Sequence, residues 1–215
     1  MLLVATACTL IAATGCGSDA TSEPQAEPRA RPAVAAHTVH GDRLFGFPAI
    51  SEPAVRTDPG ELRADLPGLY TDPQKAVADS RSEGFIAGVS RTFKSKDGPG
   101  AAFHVVVQMR GAEGAAAEFE RQVDSLLHQP CAPGLECRRE SERFAVLGMP
   151  GAAGVNTALT IENQPGGLHP EVLRADAIVF RDDAFVEQIF LSTRRPSKHR
   201  AALIKAARVL RQQGT

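Results

Sequence analysis

The chain has 215 residues, 43% of them hydrophobic, with 24 basic against 25 acidic side chains, enough for one domain of ordinary size with a buried core and a long appendage. A net charge of -1, with no basic cluster larger than the pairs Arg138-Arg139 and Arg194-Arg195, excludes a nucleic-acid partner. No apolar run reaches the roughly 18 residues that a membrane span needs.

At the N-terminus, residues 2–13 (LLVATACTLIAA) have the length of a secretory apolar region and run straight into Thr14-Gly15-Cys16. The run Ala13-Thr14-Gly15-Cys16 resembles the signal of bacterial lipoproteins. Ala13 stands where leucine is commonest in that family, and no basic residue precedes the apolar run. The resemblance implies that residues 1–15 are removed and that Cys16 becomes the acylated first residue. It also implies that the membrane partner is reached through that lipid, on the extracytoplasmic side of the cell membrane. A buried helix or strand is the other reading of residues 2–13. Against it stand the small residues before Cys16 and the low-complexity stretch 17–36, in which Pro24, Pro28 and Pro32 recur at four-residue intervals. Such a stretch is expected to be an extended spacer. Cys8 then falls in the removed segment and Cys16 carries lipid, leaving Cys131 and Cys137 spaced C-x5-C. Outside the cytoplasm this pair is expected to be a short structural disulfide. A zinc site would need two more ligands, with His128 the nearby candidate, and a redox pair would be spaced C-x-x-C.

Residues 37–69 are rich in proline and glycine, with Leu44-Phe45-Gly46-Phe47 as their apolar cluster. They read as an extended arm, so tether and arm span 16–64 and the folded domain 65–215. Thr71 or Asp72 is expected to cap a helix with Pro73 in its first turn, running to about Glu83 and stopped by Gly84. Alternation predicts strands over 85–93 and 102–109, joined by a loop at Lys96-Asp97-Gly98-Pro99-Gly100. Residues 113–128 place Ala116, Phe119, Val123, Leu126 and Leu127 on one helical face, with Glu118, Arg121, Gln122 and Asp124 turned outward. Strands follow at 143–147 and 156–162, then a hairpin of 175–180 and 185–191 around Asp182-Asp183. A last helix covers 198–213, with Leu203, Ala207 and Leu210 in phase. Both halves read strand, strand, helix. Short hairpin loops imply antiparallel neighbours, so the predicted fold class is α+β, an antiparallel sheet with helices packed on one face. Over residues 65–213 this pattern resembles small actinobacterial lipoproteins with a sensor-type extracellular domain, a resemblance that implies no activity.

No nucleophile elbow, zinc-protease, phosphate-loop or dinucleotide motif occurs, and Gly148, Gly151 and Gly154 read as turn glycines. No metal or cofactor is expected: His37 and His40 lie in a stretch read as flexible. His104 stands opposite Phe103, Val105 and Val107, with Asp176 and Glu187 as distant candidate partners. Ser90, Thr92, His104 and Gln108 are expected to share a solvent-facing side of the sheet, the candidate binding face. Three function classes follow. The favoured one is a non-catalytic binding or sensing module for an unidentified protein or small molecule. A carrier of a lipid or other apolar molecule needs a dry pocket between Phe103, Val105, Val107 and Phe119, Val123. An envelope enzyme needs convergent polar groups in a cleft.

Overall fold

The computed structural model describes residues 33–38, 41–66, 70–96, 100–131, 136–162, 171–193 and 199–214. The signal, Cys16, the spacer up to residue 32 and His40 lie outside the described residues.

In chain order, a 3-10 turn at Ala33–His37 precedes a small hairpin of β1 (Arg43–Leu44) and β2 (Phe47–Pro48). Then come β3 (Ala54–Arg56), α1 (Pro59–Ala64), α2 (Pro73–Ser82), β4 (Phe85–Lys94), β5 (Ala101–Met109) and α3 (Ala112–His128). The rest is β6 (Cys137–Ala145), β7 (Ala152–Ile161), β8 (Glu171–Asp182), β9 (Phe185–Thr193) and α4 (His199–Gly214). Seven strands make one sheet in the order β3-β4-β5-β9-β8-β7-β6, every neighbouring pair antiparallel. The α+β class and the antiparallel sheet are as expected. Among the described residues no helix is long and apolar enough to cross a membrane.

The helices, however, cover both faces of the sheet. In β8 the run Ala177-Ile178-Val179-Phe180 does not alternate, because both of its sides are buried. Ala177 and Val179 join Val105, Val107, Phe119, Val123 and Leu126 in the core under α3. Ile178 and Phe180 join Ile189, Leu191, Leu203, Ala207 and Leu210 in the core under α4. The two strand-strand-helix halves therefore send their helices to opposite sides.

The stretch read as an arm is part of the fold. Its β3 adds an edge strand, pairing Val55 with Val89, and Asp58 caps α1 by accepting from the Gly60 and Glu61 amides at 2.7 and 3.3 Å. Proline at the first position of α1 needs no amide partner there. Leu62 of α1 lies over Gly88, where an added Cβ would stand 2.3 Å from Leu62 Cδ2, so α1 docks only on a glycine. Asp72 caps α2 through the Lys75 amide at 2.9 Å. All core clusters lie between Val34 and Leu210, and Pro32–Thr215 is one compact unit.

Two turns follow expectation. Asp183 has φ 46° in the tight β8–β9 turn, and Gly148 and Gly151 have φ near 75°. Gly154 does not: it lies inside β7 with the Phe144 ring 2.1 Å from where its Cβ would be. Close approach, not a turn, requires glycine there.

Candidate binding site

Strand register decides what the predicted binding face becomes. Ser90 pairs with Val105 and Thr92 with Phe103, so both serve the α3 side of the sheet; Arg91 pairs with His104, which with Gln108 serves the α4 side. The four residues do not share a face, and the sheet is covered on both sides. His104 is fully buried (0% exposed).

On the α4 side, His104 Nε2 lies 3.2 Å from Glu187 Oε2, and His37 Nδ1 lies 2.9 Å from Glu187 Oε1. His37 belongs to the 3-10 turn and stacks on Phe185 with ring centroids 4.1 Å apart, while Val34 packs with Ala87, Val89 and Val106. Burial pushes the Glu187 carboxyl up, but its hydrogen bonds and charge interactions with His104 and His37 outweigh burial and hold it below the ordinary carboxylate range. Asp176, the other candidate partner, instead accepts from Asn156 at 2.8 Å and from Arg200 of α4 at 3.3 Å. Glu187 thus holds the chain at His37 against the sheet. All three side chains are buried, so this cluster offers a substrate no access. Among the described residues no group of three or more metal-ligating side chains converges.

On the α3 side, the polar stripe of α3 expected to face outward is largely buried under α1 and α2. Glu118 is fully buried and accepts from Arg63 at 3.1 and 3.2 Å, Gln122 at 2.8 Å, Ser80 at 3.2 Å and the Tyr70 hydroxyl at 3.3 Å. Arg121 donates to Glu118 and to Glu83 of the α2 end. Burial disfavours its charge, but Glu118, Glu83 and Asp79 outweigh this and raise its pKa. The Arg63 guanidinium lies 3.8 Å over the Tyr70 ring. One carboxylate thereby ties α1, α2 and α3 together.

The surface opens beside this clamp. Between the sheet and the C-terminal half of α3 is a groove of about 320 Å³ whose walls include Thr92, Phe103, Phe190, Leu66, Leu126 and Gln129. Phe103 and Phe190 stack as a cross-strand pair with centroids 4.6 Å apart and planes 9° apart. Arg139 fixes Gln129 by donating to its main-chain and side-chain oxygens at 2.7 and 2.8 Å. One turn back from Leu126 on α3 is Gln122, and two residues back from Phe190 on the same face of β9 is Gln188. Both are fully buried, yet Gln122 Oε1 and both polar atoms of the Gln188 carboxamide have no hydrogen-bond partner. Orphaned buried groups of this kind are rare and call for a bound water or ligand. Beyond the groove, Val105, Val107, Phe119 and Val123 fill the space that a carrier cavity would occupy.

Thr92 is the member of the predicted face that lines this opening. The sequence pattern turned Gln122 outward on its helix and did not single out Phe190 or Gln188. The signal for Gln188 is a polar residue between Val186 and Phe190 on one side of the strand. Cys131 and Cys137 are disulfide-bonded, their Cα atoms 6.1 Å apart, joining the end of α3 to the start of β6.

Fold and groove together define an α+β domain with a seven-stranded antiparallel sheet between two helical layers. No protein-family model matches the chain, and no curated protein is detectably similar to it. Among solved structures the chain is similar to the extracellular domain of PknH from Mycobacterium tuberculosis, at 13% identity and a TM-score of 0.45, over 76% of this chain and 78% of that one.

Proposed function

We propose that the chain is an exported, lipid-anchored binding or sensing domain, not an enzyme, and that it takes a small molecule with an apolar body and a polar end in the groove between α3 and the sheet. The observation that carries this reading is the pairing of apolar groove walls with the unpartnered carboxamide of Gln188 and the unpartnered Oε1 of Gln122, the residues that precede Phe190 and Leu126 on the same faces of β9 and α3. A polar end that both donates and accepts, a hydroxyl or an amide, answers those atoms. Export is supported by the Cys131–Cys137 bond, which persists in an oxidising compartment. Anchoring rests on Cys16 and its flanking residues.

The groove is tested by titrating phenol- and benzamide-type fragments while following the side-chain amide signals of Gln122 and Gln188 by NMR. Shifts there and at Thr92 and Phe103 are expected. Gln188→Leu removes orphaned polar atoms at similar volume, so it should leave stability unchanged or raise it while abolishing those shifts. Fragments that bind Gln188→Leu as well as the native chain would reject the groove. Anchoring is tested separately by labelling with a fatty-acid analogue, which should mark the native chain and not Cys16→Ser.

A further inference from the structure

The α4 side of the domain carries a second surface, and its chemistry differs from that of the groove. Helix α4 holds Arg200, Lys205, Arg208 and Arg211 and no acidic residue, in a chain whose net charge is -1. Charge is therefore segregated onto this helix. Its inner stripe, Leu203, Ala207 and Leu210, is buried in the core. Lys205, Arg208 and Val209 on its outer side are exposed, Val209 by 43%.

Two neighbouring loops extend the surface. Arg208 donates to the Leu147 carbonyl at 2.6 Å and Arg211 to the Pro150 carbonyl at 2.7 Å, fixing the β6–β7 turn beside the helix. Leu147 is thereby held out in solvent, 81% exposed. On the other flank, Lys205, Ala206 and Val209 face Arg43, Leu44 and Phe45 of the β1–β2 turn across a groove of about 540 Å³. Phe45 has φ 55°, a left-handed conformation that costs a bulky residue energy and that a purely structural hairpin turn fills with asparagine or glycine. Its ring is half-buried and packs against the core under α4, so the conformation is held by that packing. The acidic residue of this turn, Asp42, lies 3.8 Å from Arg91.

The apolar face of α4 is spent on the core, so what this surface offers a membrane is a cluster of exposed cations, each attracted to anionic headgroups, with Leu147 and Val209 projecting beside them. We infer that this face docks on an anionic phospholipid bilayer. Arg43, Lys205 and Arg208 meet the headgroup phosphates, Leu147 and Val209 reach below them, and the groove beside Phe45 receives apolar lipid surface. The groove between α3 and the sheet lies on the opposite side of the sheet and stays open to the envelope space. The envelope setting rests on the exported reading above, but the surface itself does not depend on lipid at Cys16.

The test therefore uses residues 17–215, which contain the whole of the compact unit Pro32–Thr215 and lack the acylation site. Flotation is compared on vesicles of phosphatidylcholine alone and with phosphatidylglycerol added. Binding to the anionic vesicles is expected, with little to the neutral ones, and it should weaken with salt. Each cation removed should cost roughly fivefold in affinity, so Lys205→Glu with Arg208→Glu should lose at least about 25-fold. Leu147→Asp should weaken binding without lowering the melting temperature. Equal binding to both vesicle types, binding to neither, or unchanged binding by the charge-reversal variant would overturn the inference. Release by soluble glycerol phosphate would also overturn it, since that would mean a pocket for a free anion. Failure of fatty-acid labelling in the full chain would bear on Cys16 alone.

Discussion

A buried carboxylate on each side of the sheet gathers several partners, Glu118 under α3 and Glu187 under α4, and the two hold different parts of the molecule. Under α3, Glu118 is surrounded by two arginines, a serine and a glutamine drawn from three helices, and by Tyr70 from the segment before α2. Under α4, Glu187 is held between His104 and His37. One clamp holds the helices beside the groove, and the other holds the turn at Ala33–His37 against the sheet. The groove needs rigid walls, whereas the segment at residues 33–38 needs only to be docked. That contrast sets the order in which the two clusters should fail.

The largest effect is expected at Glu118. Glu118→Ala leaves Arg63 and Arg121 without the charge they were buried to meet, and breaking such a pair from one side costs about 3–5 kcal/mol. Urea unfolding should show the loss, and the backbone NMR signals of α1 and α2 should shift most. A loss no greater than that of an exposed Glu→Ala change would show that the three helices are held by apolar contacts alone. Glu187→Gln should cost less, about 1–3 kcal/mol, because the amide keeps the volume and part of the hydrogen bonding. Its signature is the acid limb. The folded Glu187 carboxyl is held below its ordinary value, so its contribution is present above the unfolded pKa of about 4.3 and is lost as pH falls through the folded value. Native protein should therefore lose stability on acidification more steeply than Glu187→Gln. Parallel acid limbs would mean that His37 and His104 add nothing to the docking of the N-terminal turn.

Much of this architecture is legible in the sequence, and the errors have physical causes. Asp72-Pro73 announces α2 correctly, and the alternation of residues 85–109 announces β4 and β5 to within a residue. The same cap signal, Asp58-Pro59 followed by Glu61, announces α1, but proline and glycine around it made the stretch read as an arm. β6 begins at Cys137 instead of residue 143 because an edge strand whose side chains from Arg138 to Glu142 are all charged or polar lacks the apolar signal used to find strands. The binding face failed for a different reason. Alternation sorts residues within one strand, but the phase between strands is set by pairing, and Ser90 opposite Val105 puts serine and histidine on opposite sides. The opposed helices were signalled by Ala177-Ile178-Val179-Phe180, whose unbroken apolar run means burial on two sides. Burial of Glu118 could not be read, since a helix shows its polar stripe in the sequence but not what packs against it.

The smallest effect separates the two clusters at the opposite end of the pH scale. Burial first, and then the charge of Glu118, push the Tyr70 hydroxyl far above its ordinary value, so the folded protein keeps it protonated. A raised pKa contributes stability that is fully present below the unfolded value, about 10, and that is lost as pH rises above it, at up to about 1.4 kcal/mol per pH unit. The α3 side should therefore weaken in alkali and the Glu187 cluster in acid. Tyr70→Phe should cost only about 1 kcal/mol at neutral pH, because Glu118 keeps its other donors, and it should flatten the alkaline limb. The observation can be made directly. Tyr70 is the single tyrosine and the chain has no tryptophan, so tyrosinate absorbance reports this one hydroxyl. No tyrosinate should form in native protein as pH passes about 10, and the signal should appear only on unfolding in urea at the same pH. Ionisation near 10 with the fold intact would show that water reaches the clamp. The contrast between a cluster under α3 that fails in alkali and one under α4 that fails in acid would then have to be given up.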